Sequence, residues 1–572
     1  MRRLTGAQAL LRCLQAEQVQ WVFGIASGKL TPLMHALSQT PGVRFVGVRH
    51  EATGAMMAAA VFAGTGRVAV ALGEMAPGGI NLASGAGVAF NNQLAALLIT
   101  TNQHRSAAYP HRGMFMDMDS RAVFAPLTRW NAVVNETHRI PQLVRSAFRH
   151  ALSGRPGPVH LDIPQDVLAG EADFADDEFD LAPAAYRALH RPRPAAAAVA
   201  EAAALLRAAK RPLIVAGGGV VVAEAQGALR TLAERLQAPV MATQMALGVI
   251  GSDSPHNIGQ GGLIAGPPVR QALAQADLVL SIGCRHSSWL WDEHGPFVRR
   301  DQRHVQVNID ALALGEPALQ TVGLQADAQA ALQDLLAALD THQAVPETTD
   351  WRVACRQARW DYEGRLAALA AAPDTPASAA TGMHPAALAA AIGQALPPQA
   401  LVVFDGGHTS FWSNDLTPVH EVRTRFHDPG MCQLGFGLPY ALALQLAHPG
   451  RPVLQITGDG SFGFTLQELD SARRHQLPVI TLIHNNAAWG VIRAGQRRQD
   501  FEFATGLEGT DYAAIARGFG CHGESVTQPE QIGPAIQRAL ASGLPAVIDC
   551  RTRFEPHPCM PDFGSMNRYG NG

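Results

Sequence analysis

The 572-residue chain is short of charge: only 16% of its residues are Asp, Glu, Lys or Arg, against roughly a quarter in an average protein. That shortage fits wide buried faces or large subunit contacts, and heavy use of alanine is a plainer cause. The net charge is −3, so the basic excess that nucleic-acid binding requires is missing and no nucleic-acid partner is expected. Long apolar runs are missing too. None reaches about 18 residues, the length of a spanning segment, and no membrane partner is expected. The basic start Met1-Arg2-Arg3 is followed by Leu10-Leu11-Arg12-Cys13-Leu14-Gln15-Ala16-Glu17. That reads as an amphipathic helix rather than the apolar region of a secretion signal. The seven cysteines are scattered, odd in number and without a Cys-x-x-Cys pair, the pattern of a reduced, cytoplasmic protein with free thiols. No repeat of solenoid period is present.

What is present is apolar: 47% of the residues are hydrophobic, enough for large cores in about three to four domains. Residues 1–170 alternate helix and strand patterns. Val43-Arg44-Phe45-Val46-Gly47-Val48, Arg67-Val68-Ala69-Val70-Ala71-Leu72 and Ala96-Leu97-Leu98-Ile99-Thr100 read as buried parallel strands. An acidic, proline-bearing linker spans 171–194. Residues 195–342 form a second unit, where Pro212-Leu213-Ile214-Val215-Ala216-Gly217-Gly218-Gly219 and Ala276-Asp277-Leu278-Val279-Leu280-Ser281-Ile282-Gly283 are strands running into glycine turns. A further linker, helical near 351–369, passes through Pro373-Asp374-Thr375-Pro376. The last unit spans 384–555.

That last unit holds the stretch around which the chain is organised, Gly458 to Asn486. The β-rich run Pro452-Val453-Leu454-Gln455-Ile456-Thr457 ends at Gly458-Asp459-Gly460-Ser461. Phe464, Leu466, Leu469 and Ala472 then recur at roughly helical spacing. Pro478-Val479-Ile480-Thr481-Leu482-Ile483 is strand-like again and closes on Asn485-Asn486. A right-handed β-turn-α-β unit puts Asp459 and Asn486 at the carboxyl ends of strands, where open α/β sheets bind ligands. Gly458 and Gly460 let backbone N–H groups approach an anion, and the helix start, with Ser461, favours negative charge. A carboxylate and an amide oxygen are hard ligands that suit Mg²⁺ completed by phosphate and water.

This combination resembles the diphosphate and metal motif of thiamine-diphosphate enzymes. Over nearly its whole length the chain is similar to the acetolactate synthase, benzoylformate decarboxylase and benzaldehyde lyase group. The resemblance implies an α/β fold of three doubly wound parallel-sheet domains, pyrimidine-binding, central and diphosphate-binding in that order. It implies thiamine diphosphate and Mg²⁺ as cofactors, and adds the backbone carbonyl of Ala488 to the metal ligands. In Val48-Arg49-His50-Glu51-Ala52-Thr53-Gly54-Ala55, Glu51 matches the family's catalytic glutamate, whose carboxylate hydrogen-bonds N1′ of the aminopyrimidine. Read alone, Glu51 is a helix-start carboxylate favoured by the macrodipole. Asp405-Gly406-Gly407-His408-Thr409 resembles the segment that sets donors on the diphosphate, with Gly407, His408 and Thr409 as contributors; a helix-capping His408 is the other reading. In Gly430-Met431-Cys432-Gln433-Leu434-Gly435-Phe436-Gly437, Leu434 falls where relatives carry the bulky apolar residue that wedges between the cofactor rings. The backbone near Cys432 then accepts a bond from the 4′-amino group, with a packed small side chain as the plain alternative for Cys432.

The pocket departs from the relatives. Phe23-Gly24-Ile25-Ala26-Ser27-Gly28-Lys29 stands where acetolactate synthases have Phe-Gly-x-Pro-Gly-Gly. Lys29 takes the position of an active-site histidine of benzaldehyde lyase, or else is a solvated helix-start lysine. Phe115-Met116-Asp117 replaces Phe-Gln-Glu. Lys29, Phe115 and Met116 are therefore the expected substrate contacts, with polar candidates on Tyr109-Pro110-His111-Arg112-Gly113-Met114. These changes argue against a simple pyruvate-to-acetolactate activity. Gly283-Cys284-Arg285-His286-Ser287-Ser288-Trp289 keeps the arginine but not the acids of the flavin-binding relatives' Gly-x-Arg-Phe-Asp-Asp, so FAD is not favoured.

The expected function is a thiamine-diphosphate-dependent C–C bond lyase or carboligase acting on a small-molecule 2-oxo acid or 2-hydroxy ketone. One rival is a 2-hydroxyacyl-CoA lyase or oxalyl-CoA decarboxylase-like enzyme, weakened by a short tail after Asp549 with no basic segment for CoA. A non-catalytic cofactor-binding relative need not keep Glu51, Asp459 and Asn486 together. A nicotinamide oxidoreductase using Gly217–Gly219 lacks a full dinucleotide fingerprint. Glu51 and the metal motif lie near opposite ends of the chain, and in the family they meet across subunits. A homodimer or a dimer of dimers, hence a homotetramer, is expected.

Overall fold

The structure is a computed structural model. It describes residues 1–561 apart from 109–112, 263, 288–289, 293–294, 297–298, 300, 316–318, 341–347 and 374–380. The loop candidates Tyr109, Pro110, His111 and Arg112, the pair Ser288-Trp289, and Asp374, Thr375 and Pro376 of the second linker lie outside the described residues.

Three six-stranded sheets, each parallel throughout, dominate the chain. In spatial order the N-terminal sheet is Arg44–Gly47, Trp21–Gly24, Val70–Gly73, Leu97–Asn102, Val159–Pro164 and Trp130–Val133. The central sheet is Asn257–Gln260, Val240–Ala242, Pro212–Ala216, Leu278–Ile282, Arg303–Asn308 and Val322–Gln325. The C-terminal sheet is Arg425–Phe426, Leu401–Phe404, Val453–Gly458, Ile480–Asn485, Ala546–Arg551 and His522–Val526. The inner strands are mostly apolar, with polar residues gathered towards the carboxyl ends of Leu97–Asn102 and Ile480–Asn485, and are buried at almost every position, as sheets covered by helices on both faces require.

The two outer sheets reverse strand order a second time at the far edge, where Val159–Pro164 lies inside Trp130–Val133 and Ala546–Arg551 inside His522–Val526, but all three sheets share one reversal beside their first strand. The shared reversal falls between Trp21–Gly24 and Val70–Gly73, between Pro212–Ala216 and Leu278–Ile282, and between Leu401–Phe404 and Val453–Gly458. Loops leaving the carboxyl ends of such a strand pair diverge to opposite faces and leave a crevice, the usual ligand position in doubly wound folds.

Three local expectations are corrected. The strand expected over 43–48 is an edge strand, Arg44–Gly47, with Arg44 exposed and Phe45 only half-buried, because it pairs on one side alone. The helix expected to run through Phe464 and Ala472 is broken into Asp459–Phe462, a 3₁₀ turn Leu466–Glu468 and Leu469–Arg474. Thr465 leaves the helical path to donate its hydroxyl to the Gly435 carbonyl at 2.8 Å. The start of the first linker is structured: Glu171–Phe174 pairs antiparallel with Arg2–Thr5.

The N- and C-terminal domains share one hydrophobic cluster, while the central domain has its own. The shared cluster is built on close helix contacts. Gly85 lies so near the Ala52 carbonyl that a Cβ there would stand 2.4 Å from it, which explains the small residues along Glu51–Thr65 and Met75–Asn92. Helix Gly437–Ala447 of the C-terminal domain packs on the same Glu51–Thr65 helix.

Four histidines, His160, His286, His427 and His484, are buried in these domains. Burial disfavours the imidazolium and pushes each down to about 3. In the unfolded chain such rings protonate at about pH 6.5. A base with a depressed folded value contributes stability that is complete above that unfolded value and is lost as pH falls towards the folded one. At pH 5 each ring held neutral costs about 2 kcal/mol relative to the unfolded chain. The urea midpoint is therefore expected to fall steadily between about pH 7 and pH 5, before most carboxylates titrate. A midpoint that stays level over that interval contradicts this account.

Candidate active site

Two half-sites form at the outer sheets' crevices. In the C-terminal domain, strand Val453–Gly458 ends with Gly458 as the N-cap of the Asp459–Phe462 turn. Asp459 is buried. Its Oδ1 accepts from the Gly460 amide at 2.9 Å and its Oδ2 from the Ala488 amide at 3.3 Å. Its backbone carbonyl accepts the Tyr512 hydroxyl at 3.0 Å. The 486–488 turn thus closes on Asp459. Asn486 Oδ1 in that turn is buried and has no hydrogen-bond partner. Asn485 spends its amide N–H groups on the Thr510 carbonyl and Asp549, and its Oδ1 too is buried without a partner among the described residues. Burial pushes the Asp459 carboxyl up to about 6, because no cation stands beside it among the described residues.

The neighbouring turn faces this one. A Cβ on Gly406, whose φ is +84°, would stand 2.9 Å from Ser461 Oγ, and one on Gly458 would stand 3.2 Å from Thr409 Oγ1. Gly407 and Gly460 are held small from behind, by Val491 and by the Trp489 ring. Gly407, Thr409, Gly458, Gly460 and Ser461 therefore line one crevice. His408 is turned away: its Nε2–H donates to the Glu555 carbonyl at 2.7 Å and its ring stacks on Phe554. Burial pushes its pKa down to about 4, so the ring is neutral and its one N–H is spent there. Among Gly407, His408 and Thr409, the Thr409 hydroxyl and the backbone amides therefore stay available to the crevice, and the His408 ring does not. The capping reading fails as well, since the N-cap of Gly407–Leu416 is Gly406 and no side chain bonds it.

The 428–437 turn is pinned by two buried carboxylates. Asp428 accepts from the Met431 and Gln433 amides at 3.0 and 2.8 Å, and Asp405 from those of Gly435 and Gly437 at 3.3 and 3.1 Å. Cys432 and Gly435 both take positive φ, +53° and +85°. The result presents Leu434, half-buried, between two fixed points, while Cys432 is exposed rather than a packed small residue.

In the N-terminal domain Glu51 opens the helix Glu51–Thr65, and His50 Nδ1 caps it by accepting from the Ala52 amide. Glu51 is half-buried in this chain. Its Oε2 accepts from Asn81 at 3.0 Å, and Gly78 leaves space beside its other oxygen. Lys29, Glu74 and Gln165 stand together past the carboxyl ends of three strands. The Lys29 amide donates to Glu74 and its Nζ donates to Gln165 at 2.9 Å. Lys29 is thus half-buried and bonded, not a solvated lysine. Phe115 is 75% exposed, and its carbonyl accepts from Gln103; Met116 has φ +58°.

The half-sites are tied within the chain by Glu468, fully buried, whose two carboxylate oxygens each accept from the Arg49 amide at 3.1 Å. Ser471 donates to the same carboxylate at 2.6 Å. Arg474 and His475 both bond the Gly47 carbonyl, at 3.0 and 3.1 Å.

Family models match along the chain in the same order. The thiamine pyrophosphate enzyme N-terminal TPP binding domain covers residues 4–123, the central domain 199–335 and the C-terminal TPP binding domain 405–550. An acetolactate synthase of Mycobacterium bovis is 30% identical over 96% of this chain and 88% of its own length. The chain belongs to the thiamine pyrophosphate enzyme family. Acetolactate synthase isozyme 1 large subunit of Escherichia coli is 29% identical over 98% of this chain and 96% of its own length; isozyme 2 is 28% identical over 95% of each. The chain is a thiamine-diphosphate-dependent enzyme of the acetolactate synthase group, with decarboxylase and carboligase chemistry.

The residues fit the family's cofactor. A glycine cradle faces a buried, uncompensated Asp459 and the unpartnered oxygen of Asn486. No cluster of three His, Cys, Asp or Glu able to hold a metal exists among the described residues.

Asn81, Gln165, Asp428 and Glu468 carry no motif and were not legible as site residues. Glu468 has the sharpest consequence. Glu468→Ala leaves the Arg49 amide unpaired, a loss of about 1–3 kcal/mol. Amide hydrogen exchange over residues 49–53 is expected to quicken about tenfold or more, with the strand Leu278–Ile282 unchanged. Equal rates in both proteins over 49–53 contradict the role given to Glu468.

Proposed function

We propose that the enzyme cleaves or forms a C–C bond next to the carbonyl of a 2-oxo acid or 2-hydroxy ketone, using thiamine diphosphate and Mg²⁺. The observation that carries this is the closure of the 486–488 turn on buried Asp459, with Asn486 Oδ1 left unpartnered. Asp459, Asn486 and the Ala488 carbonyl hold Mg²⁺. The amides around Gly458 and Gly460, with Gly407, Thr409 and Ser461, hold the diphosphate. Leu434 braces the rings and the backbone at Cys432 accepts the amino group. Glu51 holds and returns a proton at the pyrimidine N1′, in the role of a general acid–base. The cofactor, when bound, accepts the electron pair released as the C–C bond breaks.

Lys29 faces no carboxylate within salt-bridge distance among the described residues, its ammonium meeting only the neutral Gln165 amide. This supports a carboxylate-bearing substrate beside Phe115 and Met116, as do relatives named acetolactate synthases. Glu51 is half-buried, and Ile80, Phe115, Met431 and Phe464 are exposed apolar side chains near the half-sites. Both facts support a second copy that completes each site, in a homodimer or homotetramer. Free cysteines, five of them buried, support a reducing, cytoplasmic setting.

Product analysis over 2-oxo acids and hydroxy ketones tests the assignment. The expected result is cofactor-dependent turnover that Asp459→Ala abolishes together with calorimetric cofactor binding. Lys29→Gln should lose the acids selectively while keeping cofactor affinity within about tenfold, or 1.4 kcal/mol. Unchanged cofactor binding by Asp459→Ala overturns the site.

A second reading concerns the central domain. A cavity of about 210 Å³ opens at its crevice, beside Gly217–Gly219 and Gly283. Arg285, Arg423 and Arg425 line it, bonded to backbone carbonyls but paired with no carboxylate among the described residues. This supports a nucleotide's phosphates there, with flavin still not favoured. ADP should raise the melting temperature at least as much as FAD; stabilisation by FAD alone contradicts that choice.

A further inference from the structure

Another cavity, also of about 210 Å³, lies between the central sheet, the long helix Thr349–Ala370 and the end of helix Gly407–Leu416. It is separate from the two half-sites and shares Arg425 with the central cavity. Its wall carries two amide side chains with nothing to bond. Gln260 is 8% exposed, and neither of its amide atoms has a hydrogen-bond partner. Asn414 likewise has both amide atoms buried and unpartnered. An unpaired buried polar group costs about 1–3 kcal/mol, and native structures hold only a few. Unpartnered atoms occur elsewhere in the chain too, but four of them here share one cavity.

The charges of the wall are also unbalanced in a specific way. Arg359 is shared by two carboxylates, Glu363 at 2.8 Å and Asp415 at 3.6 Å; Asp415 also accepts the Tyr362 hydroxyl at 2.6 Å and stands 3.5 Å from His557, whose pKa burial lowers, so one negative charge is in surplus among these groups. Arg425 bonds the carbonyls of Ala400, Thr424 and Pro418 and, among the described residues, has no carboxylate partner and keeps Nε unbonded. One positive charge is therefore in surplus as well. Backbone shape keeps the space open: Gly259 takes φ +110°, and a Cβ there would stand 2.9 Å from Arg359 Nη1.

One surplus charge of each sign with two idle amides complements a small zwitterion that has a hydrogen-bonding side chain. We propose that this cavity binds a polar amino acid, its carboxylate on Arg425, its ammonium on the Glu363–Asp415 pair and its side chain on Gln260 and Asn414. Arg425 also lines the central cavity, so occupancy here is placed to alter the crevice on the other side of that guanidinium.

Calorimetric titration of the holoenzyme with L-serine, L-asparagine and L-glutamine tests this. The expected result is binding of at least one of them, one molecule per chain, weakened about tenfold or more by Gln260→Leu and by Asn414→Leu, and abolished by N-acetylation of the amino acid. Gln260→Leu should also leave the unligated protein at least as stable as wild type, since it removes unpaired polar atoms. No binding at millimolar concentration, binding indifferent to both variants, or equal binding of the N-acetyl derivative overturns the proposal. So does a high-resolution structure, grown with the amino acid, in which water alone bonds the two amides.

Discussion

A buried carboxylate, Glu468, holds the beginning of the chain against its end. It lies a few residues past Asp459 and takes the Arg49 amide on both oxygens, two residues before Glu51. Such a group is stable in its buried place only while its donors stay, and its raised pKa reflects the desolvation it bears. The same clamp continues through Arg474 and His475 onto Gly47. A displacement of either domain breaks hydrogen bonds of a fully buried ion, so the two half-sites keep a fixed relation within one chain. The shared apolar cluster gives that relation its depth, and Gly85 sets how closely the helices approach.

The site at the end of this scaffold is electrostatically unfinished. Asp459 is buried without a counter-charge, Asn486 offers an idle oxygen, and the facing turns are stripped to glycine where a diphosphate would lie. A folded protein bears such costs where a ligand relieves them. In the proposed function a cation and a diphosphate would do so together, the metal compensating Asp459 and the backbone amides the phosphate oxygens. The three crevices arise from the one topological device of reversed strand order. The chain thus repeats a single fold in its N-terminal, central and C-terminal domains.

How much of this was legible in the sequence depended on whether the signal was local. Asp459, Asn486 and Glu51 each sit where a strand runs into a glycine turn or a helix start, so their positions followed from neighbouring residues. The inner strands were readable because burial on both faces makes them mostly apolar. The broken helix after Phe462 was not, because the break comes from Thr465 bonding Gly435, a partner distant in sequence. His408 misled for the same reason: its ring answers to the Glu555 carbonyl, not to the turn that carries it. Asn81 and Glu468 act across helices and domains, and side chains that work through such contacts leave no spacing to read.

The central claim is that Glu51 governs the proton on the cofactor's pyrimidine. Hydrogen–deuterium exchange at cofactor C2 in the substrate-free holoenzyme tests it most directly, comparing wild type with Glu51→Gln. Gln keeps shape and hydrogen bonding but cannot exchange a proton, so C2 exchange should slow by about 10²–10⁴-fold with cofactor affinity retained. Exchange as fast as in the wild-type enzyme would make Glu51 a structural helix-start carboxylate and contradict the account.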